Sequence, residues 1–172
     1  MYKRQAFNLF NTLFVINSNG NIIGRHKKIN TIPVSESWST AGSNTTVVDV
    51  DKQKVGLLIC ADAWPKQHVQ SLKDQGADII LSSASWAPGE YGPKDTWEKR
   101  SSESSLPIFV NNRTGIERQF DLTKSVSVVS HKGERLMSHD SPNSQLILIE
   151  WDTQKNQIVS NKTYEIKLQD YN

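Results

Sequence analysis

Apolar positions in this chain fall in short clusters separated by stretches rich in Ser, Asn, Gly and Pro. That spacing predicts many short strands and few helices. Leu13-Phe14-Val15-Ile16-Asn17 is β-rich, and the Asn19-Gly20 pair after it favours a tight hairpin returning from Ile22 through Lys28. Residues 30–44 read as a polar loop and residues 45–50 as a strand. Val55-Gly56-Leu57-Leu58-Ile59-Cys60 is apolar throughout, the pattern of a strand buried on both faces. Pro65 suits the first position of a helix that turns Val69 and Leu72 inward and stops at Gly76. Residues 77–82 form a second buried strand and residues 87–93 a Gly/Pro loop. Residues 94–105 read as a helix with Trp97 on its apolar side, and residues 107–111 as another strand. Shorter strands are expected at 125–130, 135–137 and 144–151. Beyond Trp151 the alternation is too weak to assign. Strands alternating with helices point to an α/β domain, taken as one unit over residues 1–172.

Composition narrows the function classes. A net charge of +2, with Lys and Arg scattered, offers no basic patch for nucleic acid or an anionic membrane. Lys3 and Arg4 precede an apolar stretch, but Asn8 and Asn11 interrupt it and no small-residue cleavage site follows, so it is not read as a secretory leader. A single cysteine, Cys60, fits a reducing compartment, and the expected location is cytoplasmic. His26, His68, His131 and His139 lack metal-ligand spacing, so neither metal nor cofactor is expected. Gly89 and Gly92 lack the spacing of a phosphate cradle.

Cys60 ends an apolar strand and is followed by Ala61-Asp62-Ala63-Trp64-Pro65 and a helix. A thiol there reads in two ways. It is a small buried hydrophobe, or it is a nucleophile whose thiolate and oxyanion are stabilised by the free N–H groups of the following helix. Asp62 reads as the cap of that helix.

Four segments decide between these readings. Gly24-Arg25-His26-Lys27-Lys28-Ile29-Asn30-Thr31 resembles the lysine motif of the nitrilase superfamily of carbon–nitrogen hydrolases, and residues 56–65 resemble its nucleophile motif. Residues 85–98 and Val110-Asn111-Asn112-Arg113-Thr114-Gly115 resemble later family segments, in family order. The resemblance covers most of residues 10–150 and favours the amidase-like branch. It implies a nitrilase-like α-β-β-α sandwich, incomplete at the N-terminus by on the order of a hundred residues.

The resemblance further implies hydrolysis of a small amide to carboxylate and ammonia. Nitriles, N-carbamoyl compounds and glutamine remain open as substrates. Cys60 would attack the substrate carbon and form a thioester. Lys28 would stabilise the tetrahedral oxyanion as a compact point charge. Glu36 would fix the geometry of substrate or base. The Ala61 N–H would join the oxyanion hole, and Trp86 would line the pocket, or else simply pack in the core. His26 is assigned no chemistry, and Arg113 is read as a loop anchor. The family's catalytic base is a glutamate upstream of the lysine, whereas no Asp or Glu precedes Glu36 here. The expectation is therefore impaired chemistry, a homodimer or a partner chain that supplies the N-terminal part with its base, or an inactive scaffold of the same fold.

Overall fold

A computed structural model describes residues 8–117 and 120–165. Lys3 and Arg4 lie outside them. In chain order the elements are β1 (Thr12–Ile16), β2 (Ile22–Lys27), β3 (Thr46–Val50), β4 (Gln53–Ile59), a single 3₁₀ turn (Cys60–Ala63) and α1 (Lys66–Asp74). These are followed by β5 (Ile79–Ala84), α2 (Thr96–Ser104), β6 (Ile108–Asn112), β7 (Ile116–Glu117) and β8 (Phe120–Asp121). The last four strands are β9 (Ser127–His131), β10 (Glu134–His139), β11 (Gln145–Asp152) and β12 (Gln157–Glu165).

The centre is a six-stranded mixed sheet in the order β10-β9-β6-β5-β4-β3. Strands β4, β5 and β6 run parallel, and β3, β9 and β10 join as antiparallel neighbours. The parallel trio consists of the apolar runs expected for strands covered on both faces. Helices α1 and α2 pack together on one face. There Val69, Leu72 and Trp97 join Leu58, Ile80, Ile108 and Val128 in the main core. Gly56 is what allows α1 this close, since a Cβ there would meet the Leu72 side chain at 3.1 Å.

The β1–β2 hairpin lies against the other face. Leu13 and Val15 pack on Val48, Val55 and Leu57. Gly24 permits the crossing, because a Cβ there would strike Val48 at 2.3 Å. An open groove of about 920 Å³ also runs along this face, lined by Leu81, Phe109 and Leu146 among others. None of the candidate catalytic residues borders it.

Four features depart from the sequence expectation. Strand β4 ends at Ile59, and Cys60 opens a 3₁₀ turn rather than closing the strand. Pro65 sits one position before α1, as its extended N-cap residue. Residues 157–165, whose sequence pattern is too weak to assign, form β12 and pair with β11. Strands β7 and β8 form a further two-stranded hairpin. Among the described residues no helix is long and apolar enough to cross a membrane.

Candidate active site

The carboxyl ends of the parallel strands meet at one edge of the sheet, where open α/β sheets place ligands. Cys60 follows β4, Ser85 and Trp86 follow β5, and Asn112 ends β6. Cys60 is buried and adopts φ 50°, a left-handed conformation that an L side chain occupies at a cost. The backbone N–H groups of Ser85 and Ala61 lower the pKa of its thiol. The sequence expectation places the Ala61 N–H in the oxyanion hole, whereas Ser85 carries no sequence signal because its contribution is a main-chain group.

Lys28 leaves the end of β2 buried at 2% exposure, and its Nζ donates to Glu36 Oε2 at 2.6 Å. The Lys28 charge lowers the pKa of the Cys60 thiol and the Glu36 charge raises it. Glu36 is saturated. Oε2 also accepts from Ile32 N–H at 2.8 Å, and Oε1 accepts from Asn11 Nδ2 at 2.9 Å. Sequence reasoning misses Asn11, since a polar residue beside a strand carries no local signature. Burial pushes the Glu36 carboxyl up, but Lys28 and the two other donors outweigh it and hold it below its ordinary value. An ionised carboxylate with both oxygens engaged is not poised to accept a proton.

The expectation that a helix terminus would lower the Cys60 pKa is corrected. Burial dominates and pushes the thiol above its ordinary value, against the opposing effects of Lys28 and of the Ser85 and Ala61 N–H groups. The desolvated thiolate has only partial compensation.

Asp62 is not the cap of α1 either. It is fully buried and carries four bonds to the surrounding chain. Oδ2 accepts from Ile59 N–H at 3.0 Å and meets His26 Nε2 at 3.0 Å. Oδ1 accepts from the N–H groups of Ile29 and Asn30 at 2.9 and 2.7 Å. Burial raises this carboxyl too, yet His26 and the amides hold it below its ordinary value. From the opposite side, Arg100 of α2 donates Nε to Ala63 O and Nη2 to Trp64 O, both at 2.7 Å. The turn that bears Cys60 is therefore gripped from both flanks.

Trp86 is packed rather than open, at 7% exposure. Its ring meets Trp64 and Trp97 edge to face, with centroids 5.1 and 5.4 Å away, and its indole N–H donates to Tyr91 O at 2.7 Å. Asn112 holds the Trp86 main chain by accepting from its N–H at 2.9 Å and donating to its carbonyl at 3.0 Å. The Trp86 ring is packed among aromatics, and the ring that faces outward beside it is Trp64. Arg113 anchors its loop as expected, through its N–H to Ala84 O at 2.9 Å and an ion pair with Glu117. Among the described residues no group of three or more His, Cys, Asp and Glu side chains is arranged to hold a metal ion.

The two depressed carboxyls make stability depend on pH. In the unfolded chain Asp62 and Glu36 titrate at their ordinary values, and in the folded chain below them. Between those limits the unfolded state binds more protons, so stability rises with pH across that window. The contribution is complete above the ordinary carboxyl range and is lost as pH falls through the folded values. The urea midpoint should therefore hold steady from neutrality to about pH 5 and decline below about pH 4. Glu36→Gln should shrink that decline, and an identical acid profile in the variant would contradict the assignment.

Comparison with known proteins agrees with this architecture. The family model for carbon-nitrogen hydrolases matches residues 1–157. A probable nitrilase of Schizosaccharomyces pombe is 22% identical over 151 residues, covering 84% of this chain and 54% of that protein. An amidase of Nesterenkonia AN1, from the nitrilase superfamily, superposes with a TM-score of 0.68 at 20% identity, over 75% of this chain and 50% of its own. The glutamine-dependent NAD+ synthetase of Acinetobacter baumannii reaches 0.76 at 22% identity, over 92% of this chain and 31% of its own. The chain thus spans about half the length of the curated relative it matches. With the family pattern running through nearly all of its residues, the chain belongs to the carbon-nitrogen hydrolase family.

Proposed function

We propose that this chain provides the nucleophile-bearing part of an amide hydrolase. The observation that carries the reading is the buried Lys28, bonded to a half-buried Glu36, whose charge acts on the buried Cys60 thiol. In the proposed reaction the Cys60 thiolate attacks the amide carbon and forms a C–S bond. The carbonyl π electrons move to oxygen, where the Lys28 ammonium and the Ala61 N–H hold the charge. Collapse breaks the C–N bond, and the amine leaves with the proton taken from the thiol. Water then attacks the thioester, releasing the carboxylate and restoring Cys60. In support of a nucleophilic cysteine, a mutant of the Nesterenkonia amidase carries the product of Michael addition of acrylamide at its active-site cysteine.

A base must take the thiol proton. Glu36 is the carboxylate whose charge reaches Cys60, and its oxygens are already engaged. The base in this reading comes from outside the described residues, in a longer chain or a partner chain. The raised thiol favours a second reading, in which the chain alone is an inactive interaction subunit of the same fold.

Ammonia release from small aliphatic amides tests both. The chain is assayed alone and co-expressed with the product of an adjacent upstream reading frame, with Cys60→Ala as control. Turnover that vanishes in Cys60→Ala supports the hydrolase. No Cys60-dependent ammonia under either condition supports the inactive subunit.

A further inference from the structure

Two fully buried titratable groups, His26 and Asp62, take no part in the reaction proposed above. We propose that His26 is a positioning residue, which acts through Asp62 to hold the Lys28 ammonium against Cys60. The proposal rests on the functional reading of that pair.

Lys28 sits at the end of β2, where the strand gives way to the 30–44 loop, and a long flexible stem carries its charge. Three straps join its neighbours to Asp62. His26, two residues before it, meets Oδ2, and Ile29 and Asn30, after it, donate their N–H groups to Oδ1. A fourth runs from Asn30 Nδ2 to Ala61 O at 2.8 Å. Asp62 is itself two residues from Cys60 and is tied back to β4 through Ile59 N–H. One carboxylate therefore fixes the backbone on both sides of the lysine to the turn that carries the cysteine.

His26 is the only one of these straps on the N-terminal side of Lys28. The β1 ladder and the main-chain bonds of Lys28 to Asn11 O and Gly42 N–H, both at 2.8 Å, hold the hairpin itself, and His26 is what ties that hairpin, N-terminal to the lysine, to the turn that carries the cysteine. The other ring nitrogen, Nδ1, lies 3.3 Å from Thr46 Oγ1 of β3, so the imidazole is itself oriented from the central sheet. A carboxylate holding an imidazole whose far nitrogen is also bonded is an arrangement that fixes ring orientation and tautomer. Here the fixed ring in turn fixes a loop.

Cys60 is the single cysteine, so its alkylation reports one site. The measurement is the pH dependence of iodoacetamide labelling of the full chain, for the parent, Lys28→Met, His26→Leu and His26→Gln. Near-ultraviolet circular dichroism of the tryptophan cluster monitors the fold. If the ammonium lies against the sulfur, Lys28→Met moves the labelling midpoint upward. His26→Leu should move it the same way by about one pH unit, and His26→Gln, which keeps a donor toward Asp62 without a ring charge, should return it to the parent value.

A His26→Leu protein that melts at lower temperature but keeps the parent midpoint overturns the inference, because the histidine would then serve folding alone. A His26→Gln protein that behaves like His26→Leu with a native spectrum also overturns it, since the hydrogen bond would not be the operative feature. If His26→Leu does not fold, His26→Phe keeps a ring there without the nitrogen that meets Asp62, and one outcome remains on each side: a raised midpoint supports the inference, an unchanged one sinks it. Should Lys28→Met leave the midpoint where it was, the functional reading itself fails, whatever His26 does.

Discussion

Lys28→Met should destabilise the chain by about 3–5 kcal/mol, while the double variant Lys28→Met/Glu36→Gln recovers most of that loss. The single change leaves the Glu36 carboxylate in a largely water-excluded site with its charged partner removed. The pair is close, at 2.6 Å, and side-chain exposure is only 3% for Lys28 and 13% for Glu36. Breaking one half of such a pair costs far more than deleting both halves, because the desolvated charge that remains has nothing to offset it. In the double variant the new carboxamide keeps hydrogen-bonding capacity for Ile32 N–H and Asn11, and no buried charge remains.

Turnover should not follow stability. If the ammonium supplies the charge that meets the developing oxyanion, its removal lowers the hydrolysis rate by about 10²–10³-fold, and the second substitution restores none of it. Urea midpoints and ammonia release, measured on the same preparations, separate the two effects. A double variant that regains stability and activity together would show that Lys28 is needed only for folding. A single variant as stable as the parent would show that the pair is solvated enough to be dispensable.

The second large effect is expected at Asp62. Asp62→Ala removes the acceptor for His26 and for three main-chain N–H groups, one buried and two half-buried, in a single change. Each stranded donor keeps its desolvation cost of roughly 1–3 kcal/mol, reduced where the backbone can shift toward water. The expected loss is about 4 kcal/mol, a large share of a typical domain's stability of roughly 5–15 kcal/mol. Asp62→Asn should fall between the parent and Asp62→Ala. Its amide oxygen can serve Ile29 and Asn30, but its NH₂ then points at the Ile59 N–H. If Asp62→Ala unfolds within about 1 kcal/mol of the parent in urea, the strap is not a structural keystone, and the positioning role built on it weakens accordingly.

Much of this architecture is legible in the pattern of apolar residues. The runs ending at Ile59, Ser82 and Asn111 mark the three parallel strands, because a strand covered on both faces leaves no polar position to blur the signal. Pro65 and Gly76 bracket α1 for local steric reasons. Motif resemblance gathers Lys28, Glu36 and Cys60, and the fold bonds the first two to each other. The framework that holds them is not legible. Asp62 looks like a cap from its position before a helix, yet its partners lie 32 to 36 residues away on β2 and the following loop, with only Ile59 nearby. His26 and Asn11 escape notice for the same reason, since a long-range polar contact leaves no periodicity in the sequence. Arg100 is missed because arginine on a surface helix is usually solvated, whereas here it reaches under the 3₁₀ turn. Strand β12 escapes because it is mostly exposed and pairs only with β11.

The left-handed backbone at residue 60 bears on what the sulfur costs the fold. Glycine adopts that conformation without the Cβ conflict that costs other residues roughly 1–2 kcal/mol. At residue 60 that relief is set against the packing of a buried side chain in the main core and against the greater freedom glycine gives the unfolded chain. The stability of Cys60→Gly therefore weighs the strain of the corner against the grip of the core on the sulfur.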